Sequence, residues 1–186
     1  MAVTAKGTPY VETSDLLANY PGVSLALANH IDDTAGKVLQ VVSVTKTDFF
    51  STSASSWTDL TGLTATITPS ATSSKILVMV DVFMGLSDFN DQNFYWKMLR
   101  GSTDIGVGTD GTNNFSGGGN FNSAASVPFL GGGSKNHLDA PATTSATTYK
   151  VQISKNAATA IIYVNRRGSN TTDCGISTIT LMEISA

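Results

Sequence analysis

Residues with reactive side chains are few. Histidine occurs only at His30 and His137, and cysteine only at Cys174. No two of these stand at metal-ligand spacing. A Cys–His nucleophile would need the fold to bring Cys174 beside one of the histidines. His30 is expected at the end of a short helix, where a positive charge suits the C-terminal dipole. His137 precedes Leu138-Asp139 and reads as a turn residue. Cys174 has no internal disulfide partner and is expected as a small buried hydrophobe. Among the carboxylates, Asp81, Asp88 and Asp91 are the candidates for a glycosidase pair. Their spacing has no specificity, and the plainer expectation is two solvated loop aspartates and one buried, partnered aspartate. Asp88-Phe89-Asn90-Asp91 lacks the glycine and distal glutamate of a calcium loop. Gly117-Gly118-Gly119 and Gly131-Gly132-Gly133 lead into no Gly-Lys-Ser/Thr helix, so neither is a phosphate loop. The expectation is a non-enzymatic chain without catalytic residue, metal or cofactor.

The 186 residues suffice for one domain and a short appendage. Charged residues are 13%, about half the usual share of roughly 25%. Ser, Thr, Asn and Gly take their place, a composition suited to hydrogen-bonding surfaces of adhesive and fibrous β-proteins. Net charge is −3, and no basic cluster exceeds Arg166-Arg167. A nucleic-acid partner is therefore not expected. Residues 1–30 lack a basic start followed by an apolar run, so no signal peptide is expected. No apolar run of about 18 residues occurs, so no membrane insertion is expected either. The expected route is synthesis in a cytoplasm and exit, if at all, by lysis or assembly.

The elements fall into two parts. Residues 1–35 read as an arm. Its first ten residues, including Pro9 and Tyr10, have no periodicity. Thr13-Ser14-Asp15 caps a short turn holding Leu16, Leu17 and Tyr20, which Pro21-Gly22 stops. Ser24 caps a second short helix in which Val23, Leu27 and Ile31 share a face. Helices this short need a surface to dock on. Residues 36–186 read as strands, roughly 38–47, 63–68, 74–85, 93–100, 149–153, 160–165 and 176–184. Residues 104–133 are rich in Gly, Asn and Ser and read as long loops with one short strand near 126–130. Many strands, no helix between them and short turns indicate an all-β antiparallel sandwich of jelly-roll type.

Residues 74–85 are the strand around which the rest is organised. Ile76, Val78, Val80, Val82 and Met84 form an unbroken apolar face. The opposite face carries Leu77, Met79 and Phe83 beside Lys75 and Asp81. A sandwich strand that faces water should show one polar face. The second apolar face therefore needs a cover, and a sister subunit is the economical choice. Residues 176–184 are also apolar on both sides. Ile179 and Leu181 are assigned to the same subunit interface as Leu77, Met79 and Phe83. Asp81 would then need Lys75, Lys97 or a backbone donor as partner.

Several segments carry a resemblance. Residues 8–24 (TPYVETSDLLANYPGVS) resemble the N-terminal region of virion proteins of tailed phages, notably marine and cyanobacterial ones. Residues 36–47 (GKVLQVVSVTKT), 68–80 (TPSATSSKILVMV), 142–152 (ATTSATTYKVQ) and 177–184 (STITLMEI) resemble a domain common in phage tail-fibre and related virion proteins. The strand layout is also similar to the trimeric jelly rolls of the C1q/TNF type. The resemblance implies a homotrimeric knob that joins other virion proteins (tail, portal/adaptor or capsid). Docking is expected through Pro9, Tyr10, Leu16, Leu17, Tyr20 and Leu27. A host surface polysaccharide or protein is expected to meet Asn113, Asn114, Phe115, Asn120 and Phe121. A capsid decoration protein is the alternative, and a glycan-cleaving enzyme a lower one.

Overall fold

The computed structural model describes residues 2–3, 9–10, 36–87, 92–121, 129–156, 160–168 and 171–186. The chain divides into two units, Met1–Lys37 and Val38–Ala186. In the first, β1 (Ala2–Val3) pairs antiparallel with β2 (Pro9–Tyr10), Ala2 opposite Tyr10. Pro9 and Tyr10 thus sit on a strand. Leu16, Leu17, Tyr20, Leu27 and His30 lie outside the described residues, as do Asp88 and Asp91.

The second unit is built from β3 (Val38–Lys46), β4 (Phe50–Thr52), β5 (Thr58–Ile67), β6 (Lys75–Leu86), β7 (Gln92–Arg100), β8 (Thr103–Ile105), β9 (Gly117–Phe121), β10 (Phe129–Asp139), β11 (Thr147–Lys155), β12 (Ile162–Val164) and β13 (Ser177–Ile184). All pair antiparallel in two sheets. β10 runs along one edge of β6 from Ile76 to Leu86. Its other edge is shared: β13 pairs with Lys75 to Asp81 and β12 with Met84 to Leu86. β3 flanks β13 and β4 flanks β12. The second sheet runs β5–β11–β7, with β8 and β9 following one another along the far edge of β7. The main strands thus order as β3–β13–β6–β10 over β5–β11–β7–β8/β9. First and last strands are neighbours in one sheet, and the connections cross between sheets, which is the jelly-roll pattern.

The core lies between the sheets. Ile76, Val78, Val80, Val82 and Met84 of β6 are buried there, as their alternation predicts. Leu63, Ala65 and Ile67 of β5, Phe94, Trp96 and Met98 of β7, and Tyr149, Val151 and Ile153 of β11 face them.

Several expectations are corrected. Ile179 and Leu181 are fully buried in this core, not on an outer interface. Ile179 stands opposite Val80 and Leu181 opposite Val78, and directly paired residues share a face of the sheet. The outward set of the last strand is therefore Met182 and Ile184, with Ile176 just before it. Both sets are apolar, so only register separates inside from outside. Asn120 and Phe121 belong to β9, not to a loop, and residues 131–133 lie within β10. The glycines of β9 answer a steric demand. A Cβ on Gly117 would stand 2.6 Å from the Trp96 indole, so only glycine lets the strand pass that ring. His137 lies on β10 and is half-buried. Cys174 is exposed, at an isolated bridge with Arg166.

Candidate interaction surfaces

Register places the outward side chains of the β3–β13–β6–β10 sheet in rows. One row reads Val41, Met182, Leu77, Leu138 across four strands. Met182 and Leu77 are half-buried by their neighbours. The flanking Val41 and Leu138 remain 53% and 56% exposed. Ile184 and Val38 extend the apolar area, and the shift in register there brings Leu39 out as well. The next row reads Ser43, Thr180, Met79, Asn136. The Ser43 and Thr180 hydroxyls bond to each other at 2.8 Å. The third reads Thr45, Thr178, Asp81, Ser134. Asp81 is exposed, and its carboxylate accepts bonds from the Ser134 and Thr178 hydroxyls. Its partners are therefore hydroxyls, in place of Lys75 or Lys97. Lys97 instead pairs with Asp104 at 2.8 Å. Beyond that belt lies Phe83, whose ring lies over Gly175; a Cβ there would come within 2.3 Å of it. Phe83, Ile176, Gly132 and Asp81 line a depression of about 330 Å³. Leu77, Met79 and Phe83 thus share this outer face, as expected, in the company of Val41, Met182 and Leu138. Sequence alternation could flag Met182 but could not align it with Leu77; pairing register did that.

Donors hold the ends of the sandwich. Glu183 is fully buried at one end. It accepts bonds from the Ser70 amide (2.7 Å) and hydroxyl (2.6 Å) and from Gln40 Nε2 (2.6 Å). Burial opposes its charge, yet the bonds from Ser70, Gln40 and Ser74 outweigh that and hold its pKa down at about 2. Asp139 is buried too, taking two bonds of 2.8 Å from Arg100 and one of 2.7 Å from the Tyr149 hydroxyl. Burial, and then the Asp139 carboxylate, push the Tyr149 hydroxyl well above its usual range. Both are networks of bonds between groups of the chain itself.

The connection between β8 and β9 carries Asn113, Asn114 and Phe115. Asn113 is exposed, and the Asn114 amide oxygen accepts a bond from the Gly111 amide at 3.2 Å. The Phe115 ring packs on Tyr95 of β7 with centroids 4.7 Å apart. Ser116 ties the loop down through its amide to the Trp96 carbonyl, at 2.9 Å. The fold brings Asn113 and Phe115 over the outer face of the β5–β11–β7–β9 sheet, opposite to the face that carries Leu77.

Among the described residues no group of three His, Cys, Asp or Glu side chains is placed to hold a metal. Nor is any helix there long and apolar enough to cross a membrane. No protein-family model matches the chain, and no curated protein matches it.

Proposed function

We propose that this chain is a non-enzymatic structural virion protein of a tailed bacteriophage, a short tail fibre or fibre-like knob. Residues 1–35 dock on the particle, residues 36–186 form a homotrimeric knob, and its loops meet the host surface. The observation that carries the reading is the apolar row Val41–Met182–Leu77–Leu138. It lies on an outward sheet face on which Val41 and Leu138 are more than half exposed among the described residues, and an exposed apolar area of this kind marks an interaction site. Covering a half-exposed Val or Leu contributes on the order of 1 kcal/mol, so the row and its neighbours offer several kcal/mol per subunit. Three-fold closure and the virion assignment follow the resemblance to trimeric jelly rolls and phage virion segments; fold alone would not supply a function. The hydroxyl belt beside the row suits the polar rim of an interface.

Light scattering on the full chain tests the reading. The expected mass is three times the chain mass of 19.4 kDa. A monomer at micromolar concentration overturns it.

A further inference from the structure

The face opposite the apolar row carries a second depression, of about 280 Å³. It is lined by Ser55, Ser56, Trp57, Tyr95, Asn113, Ser154, Lys155 and Asn156. These come from four separate stretches. β11 carries Ser154 beside Tyr95 of β7. The Ser154 hydroxyl bonds the Ser55 carbonyl at 2.9 Å, which fixes the turn that presents Trp57. Asn156 accepts a bond from the Asn93 amide at 2.7 Å through its side-chain oxygen, which orients its amide group. The Tyr95 ring is braced by Phe115 at 4.7 Å, and Lys97 stands 4.6 Å from the Trp57 ring.

We propose that this depression is a saccharide-binding site for a neutral pyranose ring, the terminal or branch unit of a host surface glycan. The assignment rests on the host-contacting reading above. A pyranose has apolar C–H faces and an equator of hydroxyls. The pocket offers two aromatic side chains for the first, Trp57 and Tyr95, and amides and hydroxyls for the second, from Asn113, Asn156, Ser55, Ser56 and Ser154. Aromatic walls with a few fixed polar groups are the general make-up of a small-ligand site. The volume sits just under the roughly 300 Å³ at which such sites usually begin, which suits one ring and not a long chain. The Lys97 charge beside Trp57 is met by Asp104 at 2.8 Å. That favours a neutral sugar over an acidic one. Among the described residues that line the pocket there is no carboxylate, and the proposal is one of binding.

The test uses the full chain and saturation-transfer NMR with methyl glycosides of glucose, galactose and N-acetylglucosamine, and with glucuronic acid. At least one neutral glycoside should bind with a dissociation constant of about 1 mM or tighter. Trp57→Ala should weaken that binding tenfold or more. Asn113→Ala, at an exposed loop position, should weaken it several-fold with an unchanged melting temperature, which keeps the test valid if Trp57→Ala misfolds. Failure of every neutral glycoside to bind overturns the proposal. So does binding by glucuronic acid alone, or binding untouched by Asn113→Ala. A trimer that binds no sugar leaves the assembly reading standing and removes only this site; a monomer that binds sugar does the reverse.

Discussion

Asn165 closes a corner of the sandwich. Its backbone has φ of 62°, a left-handed conformation that asparagine tolerates better than most residues. The side chain is fully buried. Its amide donates to the Lys46 carbonyl at 2.8 Å and the Asp48 carbonyl at 3.0 Å, and its oxygen accepts from the Ser177 hydroxyl at 2.7 Å. Asn165→Ala removes these bonds and leaves a Cβ at an unfavourable φ. The expected loss is about 2–4 kcal/mol, combining unpaired buried groups with backbone strain. Asn165→Gly loses the same bonds but keeps the φ, so denaturant melts should place it about 1 kcal/mol above the alanine variant. Equal losses would show that the backbone conformation contributes nothing. Glu183 makes a pH-dependent contribution. Its carboxylate ordinarily titrates at 4.5 and in the fold at about 2. The unfolded chain therefore takes up the proton first. The stabilisation is fully present above about pH 4.5 and is lost as pH falls toward and through 2. Glu183→Gln should flatten the acid side of the stability curve over that window, read by thermal melting. An unchanged acid limb would assign the effect elsewhere. Neither residue announced its part in the sequence. Asn165 falls at the end of the expected strand 160–165 and Glu183 inside the expected strand 176–184, and neither position shows its role, because the partners Lys46, Ser177, Ser70 and Gln40 are brought up only by the fold.

At the scale of elements, β6 was legible and β13 only half so. β6 offers a continuous apolar set against one broken by Lys75 and Asp81, and that contrast sufficed. β13 offers two apolar sets, and the single charge, Glu183, sits on the inner one. The glycine runs misled for a different reason. Glycine marks both loops and tight strand passages, and local sequence does not say which. Gly117→Ala tests the passage. A Cβ 2.6 Å from the rigid Trp96 indole should cost about 1–3 kcal/mol as overpacking. Gly132→Ala on β10 is the control. Its Cβ would meet Phe83 at an ordinary 3.8 Å, so the melting temperature should hold or rise. Equal destabilisation by both would mean that strand glycines matter here for some reason other than space. In the loop before β9, the exposed Asn113 should tolerate change, whereas Phe115 is packed on Tyr95. Phe115→Ala should cost about 1 kcal/mol by losing that ring pair and its burial, measured against an unaffected Asn113→Ala.

For the whole molecule, the two outer faces of the jelly roll differ in kind. One bears the apolar row and a hydroxyl belt. The other bears aromatics, amides and ion pairs such as Lys150–Asp59 at 2.8 Å. An oligomer closed through the first face would leave the second exposed, which fits a knob that assembles on one side and recognises on the other. The row lies wholly within Val38–Ala186. A protein lacking residues 1–35 should therefore remain folded, with a cooperative melt, and keep the mass of a trimer while failing to join the particle. The decisive variant is Val41→Asp with Leu138→Asp. Both side chains are more than half exposed, so the subunit itself loses little, within about 0.5 kcal/mol for each surface change. In the assembly the charges would be buried without partners at a cost of several kcal/mol. The expected result is a folded monomer of one third the mass at the same concentration. If the mass stays at three chains, the subunits meet through another surface, and the row Val41–Met182–Leu77–Leu138 is not the interface.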